Sequence, residues 1–522
     1  MKKVLLFCMV TLAGILLPAA AAVNTNNVSD VVGLTNALAQ TGERVILLAK
    51  GVYDVSDCMG ELCGGFDKGR LSFATGKIVT LEGAPGTRRG DVVIMAPSNT
   101  DRYLIYAKKG TLTLKNLTLT RSSAGGIRFD NGDSHMRATD CVFSNLTAGT
   151  AAVVSRYYSS ASFQNDDVYR DCLFADNHAT DGGGGCLNAR GTVAYGCVFS
   201  NNTAKTNGGA VLAGSYVDCT FVSNSVTDSA TSTGGGAIGC DNDNNIGYCS
   251  GCVFEGNSLF GKGHGAAIHK ATALTNCVFR GNDAQVNSVV GVAADIVGCT
   301  FDDNDSTSEL IETADLVQRC VFSGNRVQGM LVDASSAVVA NALFVSNTCA
   351  SAYGIINCKL YNCTVVGNYC NSGRVSDSII SADATAVNCL FYQNMAHNTT
   401  YLDMALRFTK NDLATPLSPF MTNCLWTVDM TLNETHKEAA LARTKDCQQM
   451  DASKYRFASS GEHPYALVGG AAASYAGYLD AEVRNAVGET DLAGNPRMDG
   501  DRITLGCYQR GVGSGGLIIS FR

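Results

Sequence analysis

A short motif, Cys-x-Phe-x-x-Asn, recurs along the middle of the chain and constrains the fold more than any other feature. Neighbouring copies start as little as 21 or 22 residues apart, as at Cys277, Cys299 and Cys320. Self-similarity at such a period indicates a repeat architecture, with the longer intervals as insertions. Complete copies start at Cys172, Cys197, Cys219, Cys252, Cys277, Cys299, Cys320 and Cys389, and degenerate copies at Cys141, Ala342, Cys363 and Cys424.

The repeat unit has the pattern of a strand followed by a turn. Cys and Phe lie two positions apart, so they point to one face of a strand while the residue between them points to the other. The Asn follows small or polar residues, and Asn tolerates the left-handed conformation of turns. Helical periodicity is missing between the copies. We therefore predict an all-β fold, a single-stranded right-handed parallel β-helix of about 14 rungs spaced about 4.8 Å apart. The Cys, Phe and Asn of successive rungs would then stack in three ladders along its axis.

The cysteines divide into two groups under this interpretation. Those at the repeat position are expected to be buried packing residues, because a small apolar side chain suits a narrow interior. Cys58 and Cys63 lie outside the repeat and form the expected disulfide in an oxidising compartment. The remaining connectivity cannot be deduced from spacing. Cys249 and Cys252 have no second pair or nearby His, so a zinc site is not expected.

The first residues have the pattern of an export signal. Lys2 and Lys3 precede an apolar stretch of about 14 residues and a small-residue cleavage zone, too short a stretch for a typical membrane span. We assign residues 1–22 as a signal peptide, which predicts an extracytoplasmic protein, secreted or associated with the bacterial cell surface or outer membrane. No later run resembles a membrane span. The net charge of −8 argues against nucleic acid as a partner.

Glycine-rich runs follow the early copies of the motif, as at 182–185, 208–211, 234–238 and 263–268. Phe-x-x-Asn alternating with Gly-Gly-Ala-Ile resembles the repeat of the chlamydial polymorphic outer-membrane proteins over roughly residues 112–426. That resemblance implies a β-helix displayed at the cell surface and a role in adhesion. Only about a dozen residues follow Arg510, so the family's C-terminal barrel, and with it membrane anchoring, is not expected here.

Both ends of the repeat region have the pattern of caps. Residues 27–40 have apolar positions at helical spacing, and the following strand ends in Gly51-Val52-Tyr53. This arrangement is similar to the N-terminal cap of pectate-lyase-like β-helix proteins. Residues 491–508 resemble the closing segment of secreted proteins called choice-of-anchor Q. We therefore divide the chain into an N-terminal cap with the first rung (23–76), the β-helix (77–430) and a C-terminal cap segment (431–522).

Enzymes are common on this scaffold, so a polysaccharide-cleaving function is the alternative. A polygalacturonase-like site is disfavoured, because the two segments that resemble its motifs, Gly263-His264-Gly265 and Asn165-Asp166-Asp167, lie about four rungs apart. A pectate-lyase-like enzyme acting on acidic polysaccharide needs a basic residue near carboxylates that bind calcium. Lys270 is the basic candidate, and Asp241 and Asp243 are the candidate calcium ligands. No cofactor other than this calcium is expected.

A binding function rests on the aromatic residues of the insertion before Cys172. Aromatic rings with a polar edge stack on sugar faces or form binding hot spots. Tyr157, Tyr158 and Tyr169 are therefore the expected ligand contacts. Our preferred interpretation is a non-catalytic, adhesin-like or glycan-binding module whose partner is a polysaccharide or a cell-surface glycan or protein. One patch of carboxylates and basic residues on a solvent-facing sheet would favour the lyase.

Overall fold

The computed structural model is a parallel β-solenoid of about 14 turns with little helix, as the repeat predicts. The structure describes residues 24–58, 69–98, 102–130, 133–156, 166–188, 191–229, 234–240, 247–285, 287–351, 355–370, 379–380, 384–396, 421–426, 444–449, 456–457, 465–468, 479–498 and 503–509. The predicted signal peptide lies outside these residues. Within them, no helix is long and apolar enough to cross a membrane.

Successive turns of the chain stack their strands into three parallel sheets. Sheet A contains Asn24–Val28, Arg44–Leu48, Gly69–Ser72, Lys77–Gly83, Tyr103–Ala107, Gly110–Lys115, Ile127–Phe129, His135–Thr139, Val154–Arg156, Val168–Arg170, Leu187–Asn188, Val193–Tyr195, Val211–Leu212, Ser215–Val217, Ile238–Gly239, Tyr248–Ser250, Ile268–Thr275, Val290–Val297, Ile311–Gln318, Val332–Ala340, Ile356–Tyr361, Thr385–Val387, Met421–Thr422 and Thr444–Lys445. Sheet B contains Gly51–Asp54, Val92–Met95, Thr118–Ser122, Val142–Ala148, Leu173–Ala175, Val198–Ser200, Thr220–Val222, Val253–Glu255, Val278–Arg280, Thr300–Asp302, Val321–Ser323, Leu343–Val345, Thr364–Val366, Leu390–Tyr392, Leu425–Trp426 and Gln448–Gln449.

Sheet C is made of the shorter strands that follow the Asn of each repeat. They are His178–Ala179, Thr203–Ala204, Ser225–Ser229, Ser258–Gly261, Asp283–Ala284, Asp305–Ser306, Arg326–Val327, Thr348–Cys349, Tyr369–Cys370 and Met395–Ala396. An antiparallel pair, Arg456–Phe457 with Leu467–Val468, lies outside the three sheets. The described helices are Val31–Ala39 and Ala481–Val487.

The phenylalanines of the motif form one continuous stack inside sheet B. Their ring centroids are 4.6 to 5.0 Å apart and neighbouring planes differ by 3° to 14°. The sheet imposes this spacing, because equivalent residues of parallel strands lie about 4.8 Å apart. The predicted Phe ladder is thus confirmed; its members are Phe143, Phe174, Phe199, Phe221, Phe254, Phe279, Phe301, Phe322 and Phe344.

The asparagines of the motif form a second ladder, in which each side-chain amide donates to the carbonyl oxygen of the next. The Nδ2 to Oδ1 distances are 2.8 to 3.0 Å. The left-handed turn residue is the one before the Asn, as at Asn201, Ser223 and Gly281. The expectation that the Asn itself takes this conformation is wrong: its amide must point inward, so its predecessor makes the turn.

The repeat cysteines lie in the interior, as predicted. Each thiol lies near a main-chain carbonyl two residues earlier, and several accept a backbone N–H from the preceding rung, as Cys299 Sγ does from Cys277 N at 3.4 Å. The eleven at the repeat position are 0% or 1% exposed. Cys447 continues the ladder by accepting from Cys424 N. Sulfur serves here as a compact side chain that also satisfies backbone groups.

The N-terminal cap has the expected helix, Val31–Ala39, which begins at its N-cap residue Asp30. It is preceded by a strand that the sequence pattern did not reveal, Asn24–Val28, which pairs in parallel with Arg44–Leu48 and covers the first sheet edge. Tyr53 is buried, and its hydroxyl lies 3.0 Å from both Val28 O and Ala49 O.

Strand pairing continues past the predicted end of the β-helix at residue 430, because Thr444–Lys445 and Gln448–Gln449 join sheets A and B. The described residues of the segment 479–509 lie along the side of the solenoid, where the helix packs on Ala340 and Tyr361. Asn341 and Asn362 donate to its carbonyl oxygens from the turns between sheets A and B.

Candidate functional site

Sheet A carries a row of outward-facing side chains that runs along the solenoid. Each member directly follows a residue of the same strand whose side chain is buried in the interior. Examples of these buried residues are Ile127, Ile268, Ile311 and Val332, which stack from rung to rung. Side chains of a strand alternate between its faces, so the next residue points away from the interior, although Tyr106 and Ser155 are themselves buried. We call these positions the polar row; it contains Tyr106, Arg128, Ser155, Asn188, His269, Glu312, Asp333 and Asn357.

The first part of the polar row is a hydrogen-bonded group around Arg128. Arg128 Nε donates to Asp130 Oδ1 at 2.9 Å, and its Nη1 donates to Ser155 Oγ at 2.9 Å on the next rung. Tyr106 donates to the other Asp130 oxygen at 2.7 Å from the rung before. The Arg128 side chain is 19% exposed. Guanidinium and carboxylate are thus fixed in orientation while still accessible at the surface.

A second group lies further along the same face. His264 Nδ1 is 2.7 Å from Glu312 Oε2, and Ser288 Oγ lies 3.4 Å from the same oxygen. Because a carboxylate only accepts, Nδ1 carries a proton in this contact, and in the neutral imidazole the lone pair is then on Nε2. The His269 ring lies 6.1 Å from that of His264, measured between centroids. We call His264, His269, Ser288 and Glu312 the histidine cluster.

A glycine makes this arrangement possible. His264 belongs to the rung of Ile268, whereas Glu312 follows Ile311 two rungs on. The intervening residue of the row is Gly291, and a Cβ there would be 2.4 Å from His269 O and 3.3 Å from His264 Cβ. The missing side chain leaves the space in which the imidazole reaches across the rung.

The row continues beyond the histidine cluster with an amide and a carboxylate. Asp333 and Asn357 occupy paired positions of neighbouring strands, and Asn357 Nδ2 donates to Asp333 Oδ1 at 3.1 Å. Lys270 follows His269 in the same strand and is half-buried. In the described part of the chain, no group of three or more His, Cys, Asp and Glu side chains is placed to hold a metal ion.

Tyr169, a predicted ligand contact, lies in the interior instead. It is 1% exposed, and its ring packs edge-on against Phe174 with centroids 5.5 Å apart. Tyr169 precedes Cys172 by three residues, as Ala194 precedes Cys197, and this offset marks a buried position. The prediction for Tyr169 is therefore wrong, because the residue belongs to the strand Val168–Arg170 and not to the insertion.

The other predicted site residues fall mainly outside the described part of the chain. This applies to Tyr157 and Tyr158, to the candidate calcium ligands Asp241 and Asp243, and to Cys63. Cys58 is described and half-buried, so its pairing with Cys63 stays a prediction. Lys270 is the one lyase candidate that the structure places, next to the histidine cluster.

Sequence reasoning missed Glu312 and Arg128. A signal did exist for both, because each directly follows an apolar residue of the interior ladder, where an outward side chain is expected. The spacing of the repeat does not indicate which side chain either residue contacts. Glu312 lies 48 residues from His264, and insertions of different length separate the rungs.

The comparisons with known proteins concern the repeat and the fold. Residues 196–214 match the Chlamydia polymorphic membrane protein (Chlamydia_PMP) repeat, which agrees with the resemblance seen in the sequence. No curated protein sequence matches the chain.

The solved structures that are similar to this chain include three at low identity. The A-module of the mannuronan C-5 epimerase AlgE4 from Azotobacter vinelandii is 15% identical, covers 71% of this chain and 93% of its own, and has a TM-score of 0.27. A mannuronic acid specific polysaccharide family 6 lyase from human gut microbiota is 11% identical over 82% of this chain and 92% of its own, with a TM-score of 0.31. The PL6 family alginate lyase AlyGC is 9% identical over 77% and 85%, with a TM-score of 0.17. At these values none of them bears on the activity of this chain.

Proposed function

We propose that the protein is a secreted or cell-surface, adhesin-like module that binds a glycan along the polar row of sheet A without cleaving it. The observation that carries the proposal is the alignment of hydrogen-bonding side chains on one outward face over many rungs. A parallel sheet repeats every 4.7 to 4.9 Å or so, so these donors and acceptors lie in line, in two stretches that Leu212 and Gly239 separate. A linear polymer can contact several of them at once.

The group around Arg128 has the properties of a preorganised binding surface. Asp130 and Ser155 hold the guanidinium, and Tyr106 holds Asp130. Little rotational freedom of these side chains remains to be lost when a ligand binds, which favours affinity. Hydroxyl groups of a sugar can donate to the carboxylate and accept from the guanidinium, which has five N–H donors.

The tyrosines that remain as candidates fit this location. Tyr157 and Tyr158 follow Ser155 of the polar row by two and three residues in the chain. Stacking of an aromatic ring on a sugar face would complement the hydrogen bonds of Arg128. We therefore keep both tyrosines as proposed ligand contacts.

The test is a glycan array probed with the wild-type protein, two matched arginine variants and a double tyrosine variant. Arg128→Gln removes the guanidinium from the polar row, whereas Arg280→Gln changes an exposed arginine of sheet B that lies 3.6 Å from Asp302. We expect Arg128→Gln, and Tyr157→Ala with Tyr158→Ala, to weaken retention about 10-fold or more, as the loss of one hot spot does. Arg280→Gln should bind like the wild type. Equal loss in both arginine variants would refute the location of the site.

A second candidate function, a polysaccharide lyase, is favoured by the histidine cluster. Glu312 contacts Nδ1 of His264, which leaves Nε2 of the neutral imidazole as the candidate base, and Lys270 lies in the same strand as His269. In such a reaction Nε2 takes the proton from the carbon next to the uronate carboxylate. The electron pair of that C–H bond forms the new double bond, and the glycosidic C–O bond breaks. The departing oxygen takes its proton from water.

The lyase is tested by ultraviolet absorbance of the unsaturated product with acidic polysaccharides as substrates. His264→Gln should abolish product formation if the lyase operates, and a chelator should do so if Asp241 and Asp243 hold calcium. Product formation that requires His264 and survives the Tyr157 and Tyr158 changes would replace the adhesin proposal. No product from any uronate polymer, together with retention on the array, would support it.

A further inference from the structure

A groove runs along the side of the solenoid where sheet A turns into sheet B. One wall consists of turn residues with positive φ, such as Asp140, Asp171 and Asp218. The other wall is the first outward column of sheet B. We call this the flank groove, and its outward column contains Val142, Leu173, Val198, Thr220, Val253, Val278, Thr300, Val321, Leu343, Thr364 and Leu390.

The later rungs of the flank groove are filled by the segment 479–509. Leu492, Cys507 and Tyr508 of that segment pack with Leu343 and Val321 of the column. The backbone of the segment is also bonded to the groove: Gly506 N donates to Asn388 O at 2.9 Å, and Cys507 N to Thr364 Oγ1 at 3.1 Å. This half of the groove is thus occupied by a polypeptide segment.

The earlier rungs present the same column with much less cover from the described residues. The loop 87–91 reaches over its far end, where Arg89 Nη1 donates to Asp171 O at 3.2 Å. Leu343, Thr364 and Leu390 are 3% exposed or less, whereas Val198 is 37% exposed and its neighbours in the open half are half-buried. The cavities at the two ends of this open half have volumes of about 840 Å³ and 580 Å³. The first lies beside Arg89 and the second beside Tyr508. The open half is an apolar strip with turn groups along its edge.

We propose that residues 510–522 of this chain occupy the open half of the flank groove. The described chain reaches Gln509 directly after Tyr508, which lines the cavity at the start of the open half together with Thr300 and Val321. The following residues are a glycine-rich stretch, 511–516, and then Leu517-Ile518-Ile519-Ser520-Phe521. This apolar run would continue along the column that Leu492 and Cys507 already cover further on.

Length and charge are compatible with this course. Thirteen residues extend up to about 43 Å, whereas the six rung steps from Thr300 to Val142 span about 29 Å. Arg510 and Arg522 flank the apolar run, and exposed aspartates line the groove at Asp171 and Asp218, whereas Asp140 already lies 3.5 Å from Arg89. Tethering raises the effective concentration of the segment, so a modest apolar contact is enough to hold it.

Photo-crosslinking of the full chain tests the proposal. A benzoylphenylalanine is introduced at Val278 in the groove or, as the control, at Thr313, an exposed outward position of sheet A. Trypsin releases Gly511–Arg522 as one peptide, because no Lys or Arg lies between. We expect this peptide to cross-link to position 278 within the same chain, at least about fivefold more than to position 313.

A tail variant separates docking from accidental proximity. Leu517→Asp with Ile519→Asp should reduce the crosslink at position 278 about fivefold or more by removing the apolar contact, while the far-ultraviolet circular dichroism of the solenoid stays unchanged. Crosslinks between two chains would assign the groove to a second copy and overturn the proposal. So would the absence of any crosslink from position 278 to Gly511–Arg522, or a crosslink that persists undiminished in the tail variant.

Discussion

Replacement of one ladder asparagine tests how much the inner hydrogen-bond network stabilises the solenoid. Asn282 Nδ2 donates to Phe254 O and to Asn304 Oδ1, both at 2.9 Å, and its Oδ1 accepts from the side chain and backbone N–H of Asn257, both at 3.0 Å. Asn282→Leu removes all four bonds at a fully buried position. At about 1 kcal/mol for each net hydrogen bond, we expect a loss of about 4 kcal/mol. Counting only the side-chain bonds to the neighbouring ladder residues, Asn257 and Asn304, would predict a smaller loss of stability.

The assay is urea unfolding followed by circular dichroism, with the free-energy change taken from the midpoint shift and the slope. The matched control is Gln328→Leu, which replaces an exposed amide by the same residue and should change stability by less than about 0.5 kcal/mol. A loss below about 1 kcal/mol for Asn282→Leu would refute the reasoning, because it would mean that the ladder is replaceable by packing.

Three further predictions use other parts of the structure. Phe279→Ala should lower the free energy of unfolding in urea by about 3–5 kcal/mol, because the Phe279 ring is stacked between those of Phe254 and Phe301 at 4.9 and 4.7 Å. The control Phe260→Ala, at a ring that is 44% exposed, should lower it by less than about 1 kcal/mol. Gly291→Ala should destabilise by about 1–3 kcal/mol, since its Cβ would clash with the backbone; an unchanged midpoint would contradict this. Among the described cysteines, Cys447 should react first with a thiol reagent at pH 8. The Cys424 thiol lowers the pKa of Cys447, whereas burial raises that of Cys58, and a low pKa increases the thiolate fraction at that pH. Labelling of the eleven buried cysteines at the repeat position in the native protein would contradict their burial.

The candidate site was only partly predictable. Lys270 and His264 stand out in the sequence as basic residues near a glycine-rich run, but His264 has a repeat position that explains it without any function. Nothing in the sequence distinguishes its partner Glu312 from other charged residues, because only the stacking of the rungs brings the two side chains together. Tyr169 shows the opposite error: an aromatic residue inside a long interval looks like part of a loop, although its distance from Cys172 marks a strand position that faces inward.

The sequence by itself determined the rung. Cys, Phe and Asn recur at fixed offsets because every turn of a parallel β-helix places equivalent side chains at equivalent interior positions. The period therefore predicts the strand, the turn and all three ladders. Only the tertiary structure decided which outward side chains meet, as His264 and Glu312 do across Gly291, and where the segment 479–509 lies. Those contacts join residues of different rungs or of distant parts of the chain. They depend on the pairing register and on insertion lengths, which no single repeat encodes.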